Sequence, residues 1–216
     1  MSFSVVISAG NPRNLVTCVK AVMDCEPALD PKKIIVVHDG ARAEAESMLP
    51  PEVTWLDAPL PFIFARNLNI GIRACTDDVV IMEDDGLLQT PSGLSLLSEH
   101  SAGYGMLASS TNYGCNQRQY RQLGGAVREE PGMVILVCVY IPRSTIDLVG
   151  LMDERFTGYG FDDDDYCLRI HKAGLKIGID DSCFIDHLAL PSFWRKRDVS
   201  ADMESNRVIF EEKWRT

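Results

Sequence analysis

Short apolar runs, closed by polar or glycine-containing tips, alternate along this chain with stretches in which apolar residues recur at helical spacing. Phe3-Ser-Val-Val-Ile-Ser8 reads as a buried strand running into the loop Ala9-Gly-Asn-Pro12. Leu15, Val19 and Val22 then mark a helix over 14–23 with Asn14 as its cap, and Ile34-Ile-Val-Val37 is a second strand. A strand, a helix and a strand within about 35 residues form a parallel βαβ unit, whose ligands sit beyond the C-terminal strand ends. The pattern recurs: a short strand over 53–56, a helix over 65–75 carrying Leu68 and Ile72, and a third central strand, Val79-Val-Ile-Met82.

The later half is more irregular. A helix is expected over 91–100, a strand over 105–109, a polar and glycine-rich loop or hairpin over 111–132, a strand over 134–141 and a helix over 143–149. A helix over 165–173 and two short strands, 176–179 and 184–187, close the pattern. The elements predict one α/β domain with a mainly parallel central sheet flanked by helices. No internal repeat or composition break marks a second domain.

The strand tips carry the candidate chemistry. Ser8 to Asn11 and His38-Asp39-Gly40 lie at two of them, and Glu83-Asp84-Asp85 at a third. Three carboxylates at the end of an apolar strand suit a hard divalent cation, which prefers oxygen ligands. A second concentration of acid is Gly158-Tyr-Gly-Phe-Asp-Asp-Asp-Asp165. On a helix four successive side chains fan around most of the circumference, so they cannot all face water, and those turned inward need partners. One or two can simply open a helix, where acids meet the positive end of the dipole. Four beside Gly-x-Gly call for chemistry or a structural contact as well.

Composition narrows the class. The 216 residues fit one large domain or two small ones and can bury a sizeable core, and 46% hydrophobic with 24% charged residues is ordinary for a soluble globular protein. No apolar stretch reaches the roughly 20 residues of a membrane span, and no basic-then-apolar leader opens the chain, so the expected location is cytoplasmic. Seven cysteines without a CxxC pair predict reduced, mostly buried thiols. A formal charge of -10 works against general nucleic-acid binding, although a local basic patch stays open.

In their order, these motifs resemble the family 2 nucleotide-sugar glycosyltransferases, which have the GT-A fold. Val5-Val-Ile-Ser-Ala-Gly-Asn11 is similar to the family's opening strand and loop, and Ile34-Ile-Val-Val-His-Asp-Gly40 to its second strand. Ala65-Arg-Asn67 is similar to its Ala-Arg-Asn helix, and Glu83-Asp-Asp85 stands where the family has Asp-x-Asp. Asp153 to Phe156, the acidic run, Asp186-His187 and the segment from Asn206 to Trp214 follow its later half. The stretch from Gly158 to Asp165 also resembles the Gly-Trp-Gly-Gly-Glu-Asp-Asp-Asp of β-1,4-galactosyltransferases, which suggests inversion. The chain departs from the pattern at Ser8-Ala9, at His38, at Glu83, and at Tyr159 and Phe161.

The resemblance implies an inverting, metal-dependent transferase that moves a sugar from a nucleotide-diphosphate sugar, a UDP-sugar, to a hydroxyl of a glycan or other acceptor. Residues 1–110 would form the nucleotide-sugar-binding half and residues 111–216 the acceptor-binding and catalytic half with a C-terminal lid. Asp85 and His187 are the implied metal ligands, with Mn²⁺ suiting a carboxylate and imidazole pair better than Mg²⁺. Asp163 is the implied base, and crowding by its acidic neighbours raises its proton affinity. Ser8, Ala9, Asp39, Glu83 and Asp84 are implied at the donor, Asp39 on base or ribose and Glu83 on ribose hydroxyls. Arg66 would touch base or phosphate, or pair with Asp39.

On the acceptor side stand Tyr159, Gly160 and Asp162, with Tyr159 stacking on a sugar face. Asp164 and Asp165 are expected to cap the helix or pair with Arg169 or Arg155. In Phe193-Trp-Arg-Lys-Arg197, Trp194, Arg195 and Arg197 would form the lid over the diphosphate. Two other readings compete. One is a sugar nucleotidyltransferase, for which a Gly-rich, Lys-containing N-terminal loop is missing. The other is a catalytically silent nucleotide-sugar-binding protein, against which Asp85 and Asp163 argue.

Overall fold

The first strand, β1 (Phe3–Ala9), is buried at every position, as its apolar run Val5-Val-Ile7 suits a strand covered on both faces. In the computed structural model, which describes residues 3–188, 190 and 198–215, β1 pairs in parallel with β2 (Ile34–His38) and with β4 (Asp78–Glu83). The strand β3 (Thr54–Asp57) adds in parallel beyond β2. Helix α1 (Pro12–Cys25) connects β1 to β2, and α3 (Phe64–Ala74) connects β3 to β4, with the short α2 (Arg42–Ala45) between β2 and β3.

Side chains alternate across this sheet. Val5 and Ile7 point to a core shared with Leu15, Val19 and Val22 of α1 and with Leu94 and Leu97 of α4 (Gly93–His100). Val6 and Val37 point the other way, onto Leu68 and Ile72 of α3 and Tyr166, Cys167 and Ile170 of α6 (Asp162–Lys172). The result is a helix, sheet, helix sandwich. Its first half is the repeated parallel unit read from the sequence.

Beyond β4 the direction changes. The strand β8 (Cys138–Ile141) runs antiparallel to both β4 and β6 (Met106–Thr111), and β9 (Ile177–Asp186) runs parallel to β6. The strands β5 (Leu87–Leu88) and β7 (Val127–Glu130) both pair antiparallel with β9. The order is β3-β2-β1-β4-β8-β6-β9-β5. A parallel sheet therefore describes β3 to β4, and β8 breaks it. Helices α5 (Arg143–Val149) and α7 (Ser200–Trp214) complete the chain.

Several boundaries differ from the sequence pattern for identifiable reasons. The cap of α1 is Asn11, whose side chain accepts from Arg13 N and Asn14 N, while Asn14 is buried. The apolar run from Val134 shrinks to β8 because side chains take up its early backbone groups. Ile135 N donates to Gln119 Oε1, and the Gln119 amide donates back to Ile135 O. The two short strands of 176–187 are one strand, β9. The Asp180-Asp181-Ser182 stretch that splits them in sequence is satisfied from the sides: Asp180 by His100 and Ser182, Asp181 by Arg128 and Gln122. The helix α6 begins at Asp162, three residues earlier than its apolar pattern.

All seven cysteines are free thiols; Cys115 is exposed and Cys25 intermediate, and the rest are buried. Among the described residues no helix is long and apolar enough to cross a membrane.

Candidate active site

The tip of β4 separates its three carboxylates by function. Asp84 turns back to the loop after β1 and accepts from Gly10 N at 2.8 Å and Asn11 N at 2.7 Å, tying two strand ends together. Its carboxyl is nevertheless pushed up to about 7, because burial outweighs those two hydrogen bonds. Glu83 and Asp85, on either side, meet His187 from the end of β9. His187 Nε2 lies 3.4 Å from Asp85 Oδ1 and 3.8 Å from Glu83 Oε2. One ligand atom from each of the three falls within 4.8 Å of the others.

The surroundings fix the histidine for this task. His187 Nδ1 lies 3.4 Å from Tyr113 O, its backbone N donates to Asn112 Oδ1 at 2.9 Å, and the Tyr113 ring packs edge-on at 5.7 Å. Asn112 in turn donates to Asp186 Oδ1 at 2.8 Å, so Asp186 holds the turn. His187 Nδ1 faces a carbonyl and Nε2 faces the carboxylates, the orientation a metal-ligating imidazole takes. Burial and the neighbouring Asp85 push the Glu83 carboxyl well above its ordinary range. The residues therefore fit a divalent cation held by two carboxylates and an imidazole.

Glu83 and His187 open onto a cavity of about 1060 Å³. Its wall includes Ser8, Asn11, Asp39 and Asp84 from the first strand ends, and Phe62 and Phe64 from the segment entering α3. The opposite wall is Tyr159, Gly160, Asp162, Asp163 and Asp164, with Met133, Ile135 and Cys115 nearby. Six carboxylates line this space, and among the described residues no lysine or arginine does.

The acidic run resolves residue by residue. Phe161, in the left-handed region at φ 70°, caps α6, so that all four aspartates occupy its first turn, where the helix dipole favours them. Asp163 Oδ2 accepts from Leu136 N at 3.4 Å. Its carboxyl is raised well above the usual carboxylate range by burial and then by Asp162 and Glu83. Burial pushes Asp162 up to about 6. Asp165 faces away from the cavity and is 1% exposed. It binds Arg169 Nε at 3.1 Å, Lys213 Nζ at 2.8 Å and Trp214 Nε1 at 3.0 Å, so the expected pairing with Arg169 is present and Arg155 pairs with Asp153 instead.

Two expected donor residues are not on the cavity wall. Ala9 is fully buried in β1. Arg66 donates to the carbonyls of Pro59 and Pro61, so its guanidinium staples the loop that carries Pro61, Phe62 and Phe64 to the wall. The expected lid residues Trp194, Arg195 and Arg197 lie outside the described residues.

Sequence reasoning missed Asn206, Gln119 and Asn112, which hold site segments through side-chain to backbone bonds. Asn206 left a trace in the sequence: Met203, Asn206, Phe210 and Lys213 share one helical face, and an amide in such a stripe signals a buried polar contact.

No family model and no curated protein sequence matches this chain. Solved structures do. GalNAc-T7 with UDP, GalNAc and Mn²⁺ superposes with a TM-score of 0.76 at 14% identity, over 99% of this chain and 48% of that one. The fold is GT-A. The mannosyltransferase PcManGT from Pyrobaculum calidifontis, in complex with GDP-Man and Mn²⁺, gives 0.68 at 16% identity, over 89% of this chain and 59% of that one. A Drosophila β-1,4-galactosyltransferase 7 complex with manganese, UDP-Gal and xylobiose gives 0.59 at 15%, over 93% and 76%. This chain thus spans about half the length of the first of these GT-A proteins and about three-fifths of the second.

Proposed function

We propose that this chain is a metal-dependent, inverting glycosyltransferase of the family 2 type, which transfers a sugar from a UDP-sugar to a hydroxyl of a glycan or other acceptor. The observation that carries the reading is that the carboxylate and imidazole set of Glu83, Asp85 and His187 and the Asp163 carboxylate serve one cavity. The three solved GT-A structures named above each hold a nucleotide or nucleotide sugar with manganese, which supports the metal-dependent, nucleotide-sugar part of the reading.

Charge favours a metal here. A diphosphate entering a cavity lined by six carboxylates meets repulsion that added positive charge offsets. Bound by Glu83, Asp85 and His187, Mn²⁺ would supply that charge and stabilise the leaving diphosphate as a Lewis acid. Ser8, Asn11 and Asp39 line the nucleotide side, and Asp39 accepts from base or ribose donors. Residues 1–110 hold most of the donor site and residues 111–216 most of the acceptor site, with His187 joining them at the metal.

On the opposite wall Asp163 takes the proton of the attacking acceptor hydroxyl. Its raised proton affinity suits a group that must receive a proton in the transition state. The hydroxyl oxygen forms the new bond to the anomeric carbon as the bond to the diphosphate breaks, and attack from the far side inverts the centre. Asp162 orients the acceptor by accepting from its hydroxyls, and Tyr159 offers a ring for a sugar face.

The test is a thermal-shift screen of UDP-, GDP- and dTDP-sugars with and without Mn²⁺. A UDP-sugar that stabilises the fold only with metal present is the expected result. Stabilisation by no nucleotide sugar in Mn²⁺ would overturn the reading.

A further inference from the structure

Helix α7 is unusual in what it buries. Of its 15 residues, the fully buried one is Asn206, at 1% exposure. Burying an amide gains no apolar transfer energy, and it is tolerated only when its donors and acceptor are satisfied. They are satisfied by the loop that leads into the acidic run. Asn206 Oδ1 accepts from Thr157 N at 3.2 Å, and Nδ2 donates to Thr157 O at 2.9 Å, Tyr159 O at 3.2 Å and Gly160 O at 2.8 Å.

The same helical face continues the contact in both directions. At Gly158, φ 72°, a Cβ would stand 2.4 Å from Asp202 Cγ, so the loop backbone lies flat against the helix. Met203 approaches Gly160 and also lines the cavity. Phe210 packs its ring 5.5 Å from Phe161, the residue held in the left-handed region at the start of α6. Lys213 and Trp214 bind Asp165. Residues 202, 203, 206, 210 and 213 thus grip, in order, the loop, its strained end and the first turn of α6.

We infer that α7 is a brace for the acceptor side of the cavity and that Asn206 is its positioning residue: the amide sets the backbone of Thr157 to Gly160, and through it the placement of Tyr159, Asp162 and Asp163. Asn206 itself does not touch the reacting atoms. The inference rests on the function proposed above only for its consequence in turnover; the bracing itself is a property of the fold.

The experiment compares wild type, Asn206→Ala and Asn206→Asp, the last keeping the acceptor for Thr157 N while setting a carboxylate against three carbonyls. Three readouts are taken: amide hydrogen exchange, Mn²⁺-dependent binding of UDP, and UDP release, with water as the acceptor of the sugar, from a mixture of UDP-glucose, UDP-galactose, UDP-N-acetylglucosamine and UDP-N-acetylgalactosamine. Both variants are expected to exchange faster across 157–163 with β1 and β4 unchanged. UDP affinity should stay within about twofold, and release should fall by about 10²-fold, the cost of a misplacement near 1 Å. Unchanged exchange across 157–163, or faster exchange with wild-type release, would overturn the inference. Wild-type protein that binds and releases no UDP would instead overturn the proposed function, and the exchange pattern alone then decides the brace.

Discussion

His187 Nε2 stands 3.4 Å from Asp85 Oδ1, so the end of β9 and the tip of β4 meet at one point. The sheet order brings them there, since β4 and β9 are separated only by β8 and β6. The contact joins the chain's two halves, and a cation held there would lock them.

Loss of either ligand should therefore weaken metal more than nucleotide-free folding. His187→Ala and Asp85→Asn are each expected to lower Mn²⁺ affinity by at least the 10–100-fold typical, as an order of magnitude, of losing even a supporting partner. Isothermal titration with Mn²⁺ measures this. Affinity unchanged in both variants would remove the trio as the metal site.

The acid cluster makes stability depend on pH in a defined direction. Asp162 has its carboxyl raised to about 6 by burial, above the roughly 3.9 of an unfolded chain. A raised carboxyl contributes stability below the unfolded value, and that contribution is lost as pH rises through the folded one. Asp162→Asn should thus match wild type at pH 4 and exceed it at pH 7.5, by on the order of 1–2 kcal/mol. Urea unfolding in a chelator at both pH values measures the difference. A variant less stable than wild type at pH 7.5 would contradict the burial account.

Asp165 should behave in the opposite way to its neighbour. It is the shared partner of Arg169, Lys213 and Trp214, and removing it leaves two mostly buried cations facing each other. Asp165→Ala is expected to cost about 3 kcal/mol or more, read from denaturant midpoints. A loss under about 0.5 kcal/mol, the size of a surface change, would show that the cluster does not hold α7.

What could be read from the sequence was whatever local pattern controls. The runs of β1, β2 and β4 and their polar tips were legible because burial on both faces forces apolar runs, and the helix spacing of α1, α3 and α5 because one face must be apolar. The candidate metal pair Asp85 and His187 came from motif order, which also set Glu83 on ribose; the fold places Glu83 on the cavity wall and within reach of that pair as well. What stayed hidden depends on partners far along the chain. Gln119 takes the backbone of Ile135 away from a strand ladder, His100 and Arg128 make the Asp180-Asp181 stretch part of one strand, Arg66 spends its donors on two carbonyls, and Asn206 holds a loop some 50 residues earlier. No periodicity in a single segment reports such bonds.

The most direct test of the central claim is UDP release by wild type and Asp163→Asn, measured with Mn²⁺, the four UDP-sugars and water as the acceptor that Asp163 would deprotonate, alongside UDP binding by each protein. Asn keeps the shape of Asp163 and removes its basicity. The account predicts UDP release by wild type, a loss of about 10²-fold or more in the variant, and equal UDP affinity in both. Release by Asp163→Asn at the wild-type rate would contradict it.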